Sequence, residues 1–167
     1  MLVQICGLPG TGKTTIAGRL ADQRAVVLLR IDAIEAAMWR NGLTAEQTGI
    51  AAYSVAHAIA LPHLRRGFIV LADAVSAVSA ARDGWRATAE LAAVPLRVIE
   101  TVCPDPEEHR RRVEGRVSDL AGFEMPSWER VQLGAADYEA RTDERLVLDT
   151  SRDLQDNVDE ALAYLDQ

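Results

Sequence analysis

The sequence predicts an α/β fold, a parallel sheet with helices on both faces, held in one domain spanning residues 1–167. Two observations carry this. Short apolar runs of strand length alternate with segments of helical period along the whole chain, and such alternation builds parallel sheets. The composition, 49% hydrophobic and 26% charged over 167 residues, is enough apolar material to bury one sizeable core.

The elements follow in order. Leu2–Cys6 is an apolar run that stops at a glycine turn, which predicts a buried strand. Gly12–Gln23 follows as a helix, with Ile16 and Leu20 one turn apart on one face. Ala25–Ile31 is the second strand. Asp32 then opens a helix, with Glu35 three residues on as in a capping box, and Asn41-Gly42 closes it. Thr44 and Gln47 form a second capping box, at the head of a longer helix reaching to about Arg66, where Gly67 ends it; Pro62 predicts a kink. Phe68–Ala72 is the third strand, Asp83–Ala92 a helix and Pro95–Cys103 the fourth strand. Asp105 stands ready to cap the next helix, which carries Arg110, Arg111, Arg112 and Arg116. Ser118–Pro126 reads as a loop, Ser127–Ala140 as a helix, Arg145–Leu148 as the fifth strand and Ser151–Leu165 as the closing helix.

Charge and cysteine use narrow the function classes. The net charge is −7, so an acidic surface gives nucleic acid no general attraction. Cys6 and Cys103 lie in or beside apolar runs with no CxxC pairing, which predicts buried free thiols in a reducing compartment. Met1 leads straight into an apolar strand with no basic region, and no stretch is long enough to span a bilayer, so the expected location is cytoplasmic. Lys13 is the only lysine; the other seventeen basic residues are arginine.

That lysine sits in the most specific motif of the chain. Gly7-Leu8-Pro9-Gly10-Thr11-Gly12-Lys13-Thr14 matches G-x-x-x-x-G-K-[ST] in full, after a strand and before a helix. The glycines let backbone N–H groups turn inward around phosphate oxygens, and the following helix points its positive end at the anion. Lys13 is suited to the β- and γ-phosphates, the Thr14 hydroxyl to Mg²⁺, and Thr15 to the α-phosphate. These residues predict binding of a nucleoside triphosphate, ATP with Mg²⁺, in a P-loop NTPase fold of three layers.

Ligands of open parallel sheets bind at the carboxyl ends of strands. Three strands here end in aspartate: Ile31-Asp32, Ala72-Asp73 and Leu148-Asp149. Asp32 is a candidate general base toward an acceptor hydroxyl and equally a helix N-cap, two roles that can coexist. Asp73 is a candidate for Mg²⁺ or its waters, or for contact with the acceptor. Asp149 reads as a turn residue. Arg112 and Arg116, four apart, would share a helix face and could lie over the transferred phosphoryl group, with the 110–130 segment as a small helical lid that excludes water. The 44–66 segment would cover the acceptor, where Tyr53 and His57 could line a pocket or simply pack. Arg82 could contact an acidic or hydroxylated substrate.

Together these motifs give a family resemblance. The chain resembles the small P-loop kinases of the chloramphenicol phosphotransferase and zeta-toxin-like group, within the nucleoside-monophosphate-kinase fold. The match rests on Gly7–Thr14, Leu29-Arg30-Ile31-Asp32 with Ile34-Glu35, Val70-Leu71-Ala72-Asp73, and Arg112/Arg116, and it covers nearly the whole chain. The resemblance implies a five-stranded sheet in the order 2-3-1-4-5, Asp32 as base, and Arg116, with Arg112, as lid arginines. It also implies an ATP-dependent phosphotransferase acting on a small hydroxylated acceptor. Where the chloramphenicol enzymes carry paired aspartates after strand 3, this chain has Ala72-Asp73, so their acceptor is not implied. A kinase for polynucleotide 5′-hydroxyls and a nonenzymatic nucleotide switch are the alternatives; the charge opposes the first and Asp32 the second.

Overall fold

The computed structural model describes every residue, Met1–Gln167. Five strands form one sheet: β1 (Leu2–Cys6), β2 (Val26–Arg30), β3 (Ile69–Asp73), β4 (Leu96–Val102) and β5 (Leu146–Asp149). Seven helices connect and cover them: α1 (Lys13–Gln23), α2 (Ile31–Arg40), α3 (Ala45–Arg65), α4 (Ser79–Ala92), α5 (Pro106–Gly115), α6 (Trp128–Ala136) and α7 (Leu154–Leu165). All pairings are parallel and the strand order is β2-β3-β1-β4-β5, as the resemblance implied. No helix is long and apolar enough to cross a membrane.

β1 occupies the centre and is buried on both faces. Val3 and Ile5 point to one layer with Ile16, Leu20, Val158 and Leu165 of α1 and α7. Leu2 points to the other, with α3 and α4. There α3 presents Ala52, Ala56, Ala60 and Leu64, one every four residues, so its backbone can sit close to the sheet and to the fully buried Trp85. Each fully buried side chain of leucine size contributes roughly 2 kcal/mol. Cys6 and Cys103 are free and buried.

Several local expectations shift, each for a tertiary reason. Asp32 is not the N-cap of α2: the helix already begins at Ile31, Arg30 holds the cap position, and Asp32 lies inside the first turn with no capping bond. The β2 pairing to β3 ends at Arg30–Asp73 and the chain turns helical at once. The capping box at Thr44 is present on its glutamine side, the Thr44 N–H donating to Gln47 Oε1 at 2.8 Å. α3 continues through Pro62, which sits near its last turn and ends nothing. α4 begins at Ser79, four residues earlier than Asp83, because its first N–H donates to the Glu139 carboxylate at 2.5 Å. α6 stops at Ala136 instead of Ala140, since Glu139 N–H is drawn to Ala77 O and the 139–140 carbonyls to Arg82. α7 begins at Leu154, capped by Asp153.

Candidate active site

The phosphate loop is fixed by backbone geometry. Gly7, Gly10 and Gly12 have φ of +135°, +85° and +90°. A Cβ on Gly7 would stand 2.3 Å from Thr101 O, and one on Gly10 would strike Val113 of α5 at 2.6 Å. Only glycine satisfies both the torsions and the space. Leu8 O gathers the loop, accepting from Thr11 Oγ1 at 2.8 Å and from Lys13 Nζ at 3.0 Å, while Pro9 O meets His109 Nε2 of α5 at 2.8 Å. Gly12 caps α1 in a left-handed conformation, so Lys13, Thr14 and Thr15 open the helix with N–H groups that have no intrahelical partner.

Carboxylates cluster behind the lysine. Asp73, 3% exposed at the end of β3, accepts from Thr14 Oγ1 at 2.7 Å. Burial pushes its pKa up, and the Lys13 ammonium and the Thr14 hydroxyl oppose that. Burial pulls the Lys13 ammonium down against the charges of Asp73 and Asp32. Strand order explains the meeting: β3 is hydrogen-bonded to β1, so Asp73 emerges beside the loop. Glu35, one turn beyond Asp32, has its pKa raised to about 7, first by burial and then by the Asp32 charge. The Thr14–Asp73 pair fits Mg²⁺. Because the hydroxyl gives its proton to Asp73, its oxygen lone pairs remain open to a cation, and an ion of this kind takes most of its other ligands from phosphate and water.

Two cavities meet at this point. One, of about 460 Å³, runs from Gly12–Ile16 past Arg112 and Thr150 to Arg152. The second, of about 580 Å³, is lined by Asp32, Trp39, Val75, Phe123 and Arg130 among others. Lys13 and Arg116 line both. The predicted pairing of Arg112 with Arg116 on one helix face is corrected. α5 ends at Gly115, and Arg116 is its extended C-cap. Arg112 instead donates to Thr150 Oγ1 and Thr150 O at 3.0 and 2.9 Å and lines the first cavity alone. Asp149 shapes the neighbouring turn, accepting from Ser151 N at 2.9 Å.

The expected acceptor contacts are also corrected. Arg82 is 7% exposed and donates to the carbonyls of Ser76, Ala77, Glu139 and Ala140, so its guanidinium braces loops and lines neither of these two cavities. His57 packs edge-on against Trp85 at 4.3 Å, and Tyr53 O–H accepts from Ser76 N at 3.1 Å; neither lines the second cavity. Ser76 holds a φ of +49°, kept there by these Tyr53 and Arg82 bonds. Trp39, Val75, Phe123 and Arg130 take their place. An aromatic residue late in α2 and one in the 118–126 loop carried no sequence signal for each other. They stack with centroids 5.0 Å apart.

Comparison with known proteins bears on the family and the fold. A family model described as an AAA domain matches residues 2–133. The protein named "Probable adenylyl-sulfate kinase" of Aeropyrum pernix is 29% identical over 178 aligned positions, covering 95% of this chain and 88% of that one. Among solved structures, the Mycobacterium tuberculosis APS kinase CysC in complex with AMPPNP and APS has a TM-score of 0.72 at 17% identity, covering 99% of this chain and 97% of that one. A gluconokinase from Sinorhizobium meliloti has a TM-score of 0.70 at 18% identity, covering 98% and 90%. These two structural likenesses show the fold.

Proposed function

The chain belongs to the AAA domain family AAA_33, and from that premise we propose that it is an ATP-dependent kinase that transfers the γ-phosphoryl group to a hydroxyl of a small-molecule acceptor. The observation that carries this is the junction of two cavities at Lys13 and Arg116, with the phosphate loop in one and Asp32 in the other. A donor and an acceptor bound in the two would meet at those two cations. A nonenzymatic switch has no need of the second cavity or of its carboxylate. The family standing and the Asp32 and Arg116 positions also support kinship with the chloramphenicol phosphotransferase and zeta-toxin-like kinases.

In this reading the loop N–H groups and Lys13 hold the β- and γ-phosphates, and Arg112 with Thr150 borders the rest of the nucleotide. Thr14 and Asp73 would hold Mg²⁺, which when bound would supply neutralisation of phosphate charge. Asp32, released from any capping duty, accepts the acceptor's hydroxyl proton as the oxygen attacks. Arg116 spreads its guanidinium along the equatorial oxygens of the transferred group, where negative charge is shared in the transition state. The 118–126 loop closes over the junction and keeps water from competing.

The test is ADP release from ATP and Mg²⁺ across a panel of hydroxylated acceptors. Adenylyl sulfate and gluconate come first, because similar proteins carry those names. At least one acceptor should stimulate release. Asp32→Asn should lower the stimulated rate by about 10²–10⁴-fold with nucleotide affinity unchanged. A panel with no stimulation, or a full rate in Asp32→Asn, would remove the assignment.

A further inference from the structure

The lid loop touches the body through contacts that phosphoryl transfer does not itself require. Asp119 accepts from both terminal nitrogens of Arg30, at 2.5 and 3.0 Å. Arg40 donates to Ala121 O at 2.9 Å, and Trp39 stacks on Phe123. Arg30 differs from the others because it faces two ways. It is the last residue of β2, in register with Asp73 on β3. Its Nε lies 3.9 Å from Asp73 Oδ2, too far for a hydrogen bond, and is buried with no acceptor at all.

The two carboxylates that can take this guanidinium are unlike. The Asp73 side chain is 3% exposed and the Asp119 side chain 61%. Asp119 can return to water at little cost, whereas Asp73 is fixed in the sheet. A buried N–H without a partner is costly, and Asp73 Oδ2, 3.9 Å away, is a carboxylate oxygen that could relieve it. That oxygen is the one that already accepts from Thr14.

We propose that Arg30 is a positioning residue that couples the lid to Asp73: Asp119 on the docked lid holds the guanidinium back, and lifting the lid lets Arg30 Nε–H close on Asp73 Oδ2. The lifted state neutralises the carboxylate and sets a guanidinium against any cation held by Thr14 and Asp73. Asp73 is therefore free to hold a cation with Thr14 only while the cleft is covered. This rests on the assignment of Thr14 and Asp73 to Mg²⁺, not on the identity or existence of an acceptor.

The test uses the intact chain, a fluorescent ATP analogue and titrated Mg²⁺. Asp119→Asn should raise the Mg²⁺ concentration at half-maximal binding by roughly two- to five-fold, the scale of a partly exposed ion pair. It should also change the emission of Trp39, read as the difference from the same chain carrying Trp39→Phe. Asp119→Glu should restore both. Adding Arg30→Gln to Asp119→Asn should return the Mg²⁺ midpoint toward the original, because no guanidinium is left to compete for Asp73. An ordinary surface salt bridge predicts that the double variant is no better than the single. An unchanged midpoint in Asp119→Asn, or a double variant as weak as the single one, overturns the coupling. Since no acceptor enters the assay, failure of the kinase assignment reads out separately, in the ADP-release panel.

Discussion

Residues 7–15 and the second cavity, proposed above to take the acceptor, meet at Lys13, yet they are held by different physics. The loop is one contiguous stretch whose shape is set by glycine torsions, local carbonyl bonds and packing against Thr101 and α5. The second cavity draws Asp32 and Trp39 from α2, Val75 from the loop after β3, and Phe123 and Arg130 from the 118–126 loop and α6. Its walls are joined by side chains: a stacked aromatic pair and an arginine–aspartate bond whose acid partner is largely in water. Such a wall can part and reform at low cost, while the loop cannot. For the proposed kinase, a donor site that always binds the same triphosphate gains from rigidity, and an acceptor site that must admit substrate and exclude water gains from contacts that release.

That contrast can be broken most directly at Gly7. Gly7→Ala should cost on the order of 3 kcal/mol, combining a forbidden torsion with a Cβ against Thr101 O. Calorimetric titration should then show nucleotide affinity nearly lost; an affinity within a few-fold of the original would mean that the loop is as pliable as the lid. Next in size, the two lid arginines should separate. Arg116→Ala should lower the acceptor-stimulated rate by about 10³-fold, as loss of a transition-state guanidinium does. Arg112→Ala should leave that rate nearly intact and raise the nucleotide KM by roughly tenfold or less, since its partners are Thr150 and Glu108. Equal effects on both parameters would merge the two cavities that the structure keeps distinct.

The smallest effect sharpens the acceptor side electrostatically. Glu35 is raised from 4.5 to about 7 by burial and Asp32. The fold thus disfavours its ionised form, and the unfolded chain gives up that proton at lower pH. Stability should therefore fall as pH rises from about 4.5 to about 7 and change no further from this group above that. Glu35→Gln should flatten this part of the melting-temperature profile by a few degrees or less; an unchanged slope would place the carboxyl in water.

Most of the fold was legible because it is written locally. Leu2–Cys6 declares a buried strand as a short apolar run that stops at a glycine, and the GKT run declares its turn by glycine torsion. The misread positions share one cause. Asp32 looked like a cap, but helix α2 had already started at Ile31 where β2 parts from β3. Ser79 opens α4 because Glu139, sixty residues on, bonds its N–H. Arg82 looked free for substrate until four carbonyls, two of them from the 139–140 segment, surrounded it.

By itself, the order of residues determined the phosphate loop, the parallel α/β plan and the carboxylates at the strand ends, because torsion limits and hydrophobic period act within a few neighbours. Tertiary structure alone decided which of those groups face each other. It set Asp73 against Thr14, Trp39 against Phe123, and Arg30 between Asp119 and Asp73. Those pairings join residues 59 to 89 positions apart in all but the last, and they depend on strand order and lid placement, which no local spacing encodes.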